Sequence, residues 1–146
     1  MKRLGFNSKP LLCLLMLCAR PFGAARAQES IDIGAEVWIE PGQTPEQIDG
    51  WFSLAANNGM RSVRLFLMWN YIEKQPGEFD FSLYDTAFAA ANRHKVRIEA
   101  TLCAIHGPAW LSEKFRGRPQ FNELFDSEQV LVRAAEYIRQ TVTRYR

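Results

Sequence analysis

The feature that most constrains this sequence is a regular alternation of strand and helix patterns that starts near residue 31. Strand patterns cover residues 31–39, 62–67 and 96–102, and each is followed by a stretch with the helical spacing of apolar residues. Strands that alternate with helices pair in parallel through right-handed crossovers. The pattern therefore predicts an α/β fold built on a parallel sheet.

Capping signals predict where the helices begin. Thr44 and Gln47 have the spacing of a capping box, and a proline between them suits the first helical position. Ser82 is the expected cap of the second helix, and Asp126 or Ser127 that of the third. The predicted buried faces are, in chain order, Ile48, Trp51, Phe52 and Ala55; Leu83, Phe88 and Ala91; and Leu131, Ala134, Ala135, Ile138, Val142 and Tyr145.

The first 27 residues have the pattern of a secretory signal peptide. Basic residues open the chain, residues 11–19 form an apolar run, and Ala25-Arg26-Ala27 is a small-residue cleavage site. A membrane-spanning helix needs about 20 apolar residues, so the run is too short for an anchor. We expect cleavage after Ala27, a secreted or periplasmic protein, and a mature domain of residues 28–146 that has no membrane partner.

The composition of the mature part excludes several functional classes. The leader holds five basic residues and no acid, so 13 basic and 16 acidic side chains remain, a net charge of −3. Nucleic-acid binding needs a clustered basic face, and we expect no such partner. Cys103 is the only cysteine left, so stability must come from a core. His94 and His106 are too isolated to predict a metal site, and we expect no cofactor.

The connections differ in length at the two ends of the predicted strands. The returns from helix to strand, residues 59–61 and 94–95, are short, whereas residues 68–81 and 103–125 form long segments after strands. In α/β barrels the loops after the strands build the active site. A closed barrel takes about 250 residues, so the mature chain fits only the first three βα units. A small doubly wound domain is the structural alternative.

Polar residues alternate with apolar ones along the second and third strands. Arg64 and Glu99 fall on the face opposite the apolar sets, and Glu36 shares a face with Trp38 on the first strand. Because the apolar sets must meet the helices, the polar sets point into the barrel. Buried charges are rarely left unpaired, so this row is either a sugar-binding network or a structural ion pair. We interpret Arg64 as a binding residue and Glu99 as a structural partner.

Aromatic residues mark the segments that follow the second and third strands. Trp69 and Trp110 lie at the predicted mouths of these strands, where an indole ring can stack on a sugar or pack the loop onto the rim. His106, in the later segment, is a candidate subsite contact or a surface residue.

A set of short motifs carries a resemblance to a known family. The motifs are Val63-Arg64-Leu65-Phe66, Trp69 with Glu73, Pro76-Gly77-Glu78-Phe79-Asp80-Phe81, Leu83-Tyr84-Asp85, Thr101 and Pro108-Ala109-Trp110-Leu111. This set resembles the glycoside hydrolases of the large retaining clan, and most closely the N-terminal barrel of family 42, the bacterial β-galactosidases.

The resemblance implies a (β/α)8 TIM barrel and retaining hydrolysis of β-galactosides by two carboxylates about 5 Å apart. In the family, the acid/base follows an Asn at the end of strand four and the nucleophile ends strand seven. Neither position has a match here, so we expect no catalytic residue in the chain and no activity from it alone. The residues expected to bind the carbohydrate substrate are Glu36, Trp38, Arg64, Trp69, His106 and Trp110.

Two alternatives to an enzyme's N-terminal part stay open. One is a truncated, catalytically inactive product. The other is a non-catalytic carbohydrate-binding module of the α/β type. Compact, monomeric folding of residues 28–146 alone favours the module.

Overall fold

The computed structural model describes residues 33–111 and 127–146. The predicted signal peptide and the candidate cap Asp126 lie outside the described residues. The elements are β1 (Ala35–Val37), α1 (Pro45–Asn57), β2 (Ser62–Met68), α2 (Trp69–Ile72), β3 (Glu73–Gln75), β4 (Glu78–Phe79), α3 (Ser82–His94), β5 (Arg97–Cys103) and α4 (Glu128–Tyr145).

The main sheet has three strands in the order β1–β2–β5, and both pairings are parallel. This confirms the predicted α/β fold with a parallel sheet. β1 is shorter than predicted, since its ladder joins only Ala35–Val37 to β2.

The core lies between one face of this sheet and the helices. Val63, Leu65 and Leu67 of β2 are buried there, as the period-2 pattern predicts. The capping box of α1 is confirmed: the amide of Gln47 donates to Thr44 Oγ1 and the amide of Thr44 donates to Gln47 Oε1. Helices α1 and α3 also pack against each other.

Several predicted features of the first two long helices differ in the structure. Ser82 is the first residue of α3 rather than its cap, and its amide donates to the carboxylate of Asp80 at 3.0 Å. On α1, Trp51 is 46% exposed while Ile48, Phe52 and Ala55 are buried as predicted. On α3, Ala91 is buried but Leu83 and Phe88 are only partly so, and the residues that fill the core instead are Tyr84, Ala87 and Ala90.

The buried face of α4 is rotated relative to the prediction. Leu131, Ile138 and Val142 are exposed, and of the predicted set Ala134 is buried. α4 presents this face to the core because polar residues on it, described below, bond to the end of β2 and to the segment after β2. The other residues on the observed buried face are Val130, Tyr137 and Thr141.

The long segment after β2 contains structure that the sequence did not predict. The short helix α2 is followed by an antiparallel hairpin of β3 and β4. Pro76 and Gly77 form the turn of this hairpin, and Gly77 has a φ of 82°, which favours glycine. The amide of Asp80 donates to the carbonyl of Ile72 at 2.8 Å and closes the hairpin against α2. Within the described ranges, no helix is long and apolar enough to cross a membrane.

Candidate functional site

The predicted row of charged residues lies across the three strands of the sheet. In the observed register, Glu36 on β1 stands beside Arg64 on β2, and Arg64 stands beside Glu99 on β5. All three side chains are exposed, on the face opposite the buried residues of β2. The prediction that these residues share one face is confirmed.

An aromatic pair joins this row to form what we call the sheet-face cluster, which consists of Glu36, Trp38, Arg64, Phe66 and Thr101. The indole Nε1–H of Trp38 donates to Glu36 Oε1 at 2.6 Å. The Trp38 ring stacks on Phe66, with centroids 4.8 Å apart and an interplanar angle of 24°. The guanidinium of Arg64 lies 4.9 Å from the Phe66 centroid, and its Nε–H donates to Thr101 Oγ1 at 3.0 Å.

Glu99 does not take the structural role that we predicted, an ion pair inside the barrel. Its carboxylate lies 3.5 Å from Arg97 on the same strand, and both side chains are more than half exposed. An exposed pair of this kind contributes little to stability. Since the sheet face is open, neither Glu99 nor Arg64 must find a partner to avoid the cost of burial.

A second network of the same residue types lies in the core, and we call it the Glu73 clamp: Glu73, Trp69, Gly77, Arg133 and Trp110. Glu73 is 0% exposed. Its Oε2 accepts the indole N–H of Trp69 at 2.7 Å, and its Oε1 accepts the amide of Gly77 at 2.8 Å. Oε1 also accepts a hydrogen bond from Arg133 Nη2, so the buried carboxylate is ion-paired and hydrogen-bonded on both oxygens.

Trp69 is therefore a packing residue in this structure. Its ring is 0% exposed and stacks on Tyr137 of α4, with centroids 5.6 Å apart and an interplanar angle of 17°. The expectation that Trp69 offers a sugar platform at the mouth of the second strand is wrong for this arrangement, because no face of the ring is open. The ring instead packs the loop onto the rim, which is the other role that the sequence allowed.

Trp110 and His106 link the segment after β5 to the segment after β2. The indole N–H of half-buried Trp110 donates to the backbone carbonyl of Glu73 at 3.2 Å, and the guanidinium of Arg133 lies 5.6 Å from the Trp110 centroid. The carbonyl of His106 accepts the amide of Asn70 at 2.9 Å. Both residues thus lie on the side of the clamp, apart from the strand residues that form the sheet-face cluster.

Two buried tyrosines hold the end of β2, and the sequence patterns predicted neither of them as a core residue. The hydroxyl of Tyr137 donates to the carbonyl of Leu67 at 2.5 Å, and the hydroxyl of Tyr84 accepts the amide of Met68 at 2.9 Å. Burial raises the pKa of both tyrosines far above the usual range, so they act as neutral hydrogen-bonding groups.

Arg133 was also missed, although the sequence contains a signal for it. The spacing of Val130, Ala134, Tyr137 and Thr141 is that of a core-facing helix stripe, and Arg133 lies at its border. In the part of the chain that the structure describes, no group of three or more His, Cys, Asp or Glu side chains is placed to hold a metal ion.

Comparison with known proteins relates this fold to glycosidases. No family model and no curated protein sequence matches the chain. Among solved structures, it is similar to a β-galactosidase from the psychrophilic Marinomonas ef1, with a TM-score of 0.61 and 17% identity over 79% of this chain and 20% of that one. It is also similar to an exo-β-1,4-mannosidase from Opitutaceae bacterium strain TAV5, with a TM-score of 0.58 and 22% identity over 77% of this chain and 22% of that one.

These likenesses concern the fold, and the chain spans only about a fifth of the length of either enzyme. The parallel strands and the helices between them are thus folded as in part of each of these two enzymes.

Proposed function

We propose that this chain is the N-terminal part of a retaining glycoside hydrolase that acts on β-galactosides and is related to family 42, and that it contributes substrate-binding residues rather than the catalytic pair. The sheet-face cluster is the observation that carries this proposal. The family resemblance of the motifs and the fold shared with glycosidases support it.

The cluster offers the groups that a sugar ring requires. Phe66 covers one side of the Trp38 ring, yet Trp38 remains 50% exposed, so the ring is a platform that is supported from one side and open from the other. The carboxylate of Glu36 accepts hydrogen bonds from hydroxyl groups, and the guanidinium of Arg64 donates them. Glu36 and Arg64 are paired directly in the sheet register, so the acceptor and the donor lie side by side next to the ring.

The two glutamates that flank β2 on the sheet face have partners of their own. Glu36 accepts the indole N–H of Trp38, and the carboxylate of Glu99 lies 3.5 Å from Arg97. A retaining mechanism uses two carboxyl groups about 5 Å apart, and neither glutamate lies at a position that matches the acid/base or the nucleophile of the family. We therefore propose that Glu36 and Glu99 are not the catalytic pair.

The two outer flanks of the fold favour a barrel part over an independent binding module. On α1, Trp51 and Leu54 are 46% and 55% exposed. On α4, Leu131 and Ile138 are exposed, and a groove of about 200 Å³ runs beside β5, lined by Leu102 among others. In a barrel these surfaces would be covered by further strands and helices. We expect light scattering to show self-association of the isolated chain, and a monodisperse monomer that melts cooperatively would favour the module.

A binding experiment tests the proposal. We expect isothermal titration calorimetry of the full chain to show weak binding of lactose that Trp38→Ala abolishes. Trp51→Ala is the matched control, because it removes an equally exposed indole from α1 without touching the sheet. We expect no turnover of nitrophenyl β-galactoside. Turnover that Glu36→Gln or Glu99→Gln abolishes would contradict the assignment, and so would lactose binding that survives Trp38→Ala.

We also propose that the protein is exported and cleaved after Ala27. The basic start, the short apolar run and the small-residue site support this. Mass spectrometry of the secreted or periplasmic protein should find Gln28 as the first residue. A mature protein that retains Met1 would refute it.

A further inference from the structure

We propose that a cavity formed by the segments that follow β1 and β2 is a second binding site, which takes one neutral sugar unit. Its volume is about 290 Å³, at the lower end of the range for small-molecule sites, so it suits a single ring rather than a longer saccharide. The first turns of α3 complete its walls. No residue of the sheet-face cluster lines it, so this site does not depend on the proposed function.

One wall of the cavity is apolar and is held in place by the core. Ile48 of α1 is 1% exposed, and Tyr71 and Leu83 are half-buried and pack against the core. Leu83, which the sequence predicted to be a core residue, lines the cavity instead. Small-molecule sites combine such apolar and aromatic walls with a few polar groups. A sugar ring presents C–H groups to the first and hydroxyl groups to the second.

Two polar side chains of the cavity have groups that are available to a ligand. The hydroxyl of Tyr71 finds no hydrogen-bond partner among the described residues. Burial, followed by the nearby charge of Glu40, raises the pKa of Tyr71, so the hydroxyl keeps its proton. The side-chain oxygen of Gln43 accepts the amide of Glu40 at 3.0 Å, which leaves the NH₂ group of Gln43 to donate elsewhere. Both groups can bond to sugar hydroxyls.

The charged groups around the cavity favour a neutral ligand over an anion. Lys74 Nζ lies 3.7 Å from Asp80 Oδ2, so the two charges offset each other, and Glu40 adds a negative charge near Tyr71. Hydrogen bonds from Ser82, and then the charge of Lys74, lower the pKa of Asp80. Asp80 is therefore a carboxylate at neutral pH, which accepts hydrogen bonds from hydroxyl groups and repels an anionic ligand.

Methyl β-galactoside is the probe, and the ¹³C-methyl NMR signals of Ile48, Leu83 and Thr86 report on the cavity of the full chain. We expect these signals to shift with saturation, in Trp38→Ala as in the wild type. Tyr71→Phe keeps the ring and removes the hydroxyl, so affinity should fall about fivefold, the size of one net hydrogen bond.

Thr86→Leu should fill the cavity and abolish the shifts, and Thr86→Ser is the matched control that should retain them. The Thr86 hydroxyl donates to the carbonyl of Ser82 within α3, so its loss should leave the urea midpoint close to that of the wild type.

Three results would overturn the proposal. One is the absence of saturable shifts at the three methyl groups, and another is undiminished affinity in Thr86→Leu. The third is tighter binding of galacturonate than of methyl β-galactoside, because the charges of the cavity should repel a carboxylate. If Trp38→Ala abolishes the shifts, the sugar binds at the sheet face alone and the cavity is not a site. If lactose binding at Trp38 fails while the cavity signals respond, the proposed function fails and this site stands.

Discussion

The sheet-face cluster and the Glu73 clamp are built from the same three residue types. In each, an indole N–H donates to a glutamate, at 2.6 Å in the cluster and 2.7 Å in the clamp, and an arginine lies nearby. They differ in exposure: the tryptophan of the cluster is 50% exposed and that of the clamp 0%. The corresponding residues are Trp38, Glu36 and Arg64 in the cluster, and Trp69, Glu73 and Arg133 in the clamp.

The difference shows that burial decides what such a set can do. In the core, Glu73 must be neutralised and hydrogen-bonded, so its oxygens are occupied by the protein's own donors. On the sheet face, water solvates the charges, and Arg64 contacts a ring and a hydroxyl rather than a carboxylate. The exposed set therefore keeps groups available for a ligand, and the buried set contributes stability and position.

The largest expected effect is that of Arg133→Met. It leaves the Glu73 carboxylate buried without its cation, and breaking a buried pair in this way costs about 3–5 kcal/mol. The matched control is Arg64→Met on the sheet face, which should change the free energy of unfolding by less than about 1 kcal/mol. Urea denaturation followed by circular dichroism measures both. Equal losses in the two variants would mean that exposure does not distinguish the two sets.

A smaller effect is expected when the indole is replaced in each set. Trp69→Phe removes the donor to Glu73 and leaves space beside Tyr137, at a cost of about 2–3 kcal/mol. Trp38→Phe should cost no more than about 0.5 kcal/mol and should instead weaken lactose binding. The comparison fails if Trp38→Phe is the more destabilising change in thermal unfolding.

The smallest effect concerns an ion pair of intermediate exposure on the outside of α4. A bidentate hydrogen bond from Arg144 lowers the pKa of Asp85 below its usual value, and the side chains are 48% and 38% exposed. Because the folded pKa is the lower one, this stabilisation is present above the unfolded pKa of about 3.9 and is lost as the pH falls through the folded value.

Asp85→Asn should therefore lower stability slightly at pH 7 and make it less sensitive to acid below about pH 4. Added salt should shrink the difference between the variant and the wild type, since the pair is partly exposed. Thermal melts between pH 2 and pH 7, at low and high salt, measure this. An acid sensitivity identical to that of the wild type would show that the pair does not contribute.

Local patterns predicted the strands better than they predicted the site. The alternation of Val63 and Leu65 with Arg64 has a period that only a strand satisfies, so the face of each residue followed from the sequence. Trp69 was different, because its burial depends on Glu73 and on Tyr137, which lies far along the chain. No pattern in the residues around Trp69 predicts its contact with Tyr137.

The buried face of α4 could not be predicted from a local pattern either. Leu131 and Ile138 form an apolar stripe next to the one that contains Val130 and Tyr137, so helical periodicity alone does not choose between them. Hydrogen bonds determine which stripe is buried: Arg133 bonds to Glu73, and the Tyr137 hydroxyl bonds to the carbonyl of Leu67.

The two tyrosine hydroxyls at the end of β2 have a consequence for motion. They hold consecutive backbone groups, the carbonyl of Leu67 and the amide of Met68, from two different helices. A strand end normally frays, and its amides exchange with solvent faster than those of the strand centre. Here the amide of Met68 can exchange only when α3 releases the hydroxyl of Tyr84. The end of β2 should therefore open together with the helical core rather than ahead of it, and its exchange rate should report the stability of the whole core.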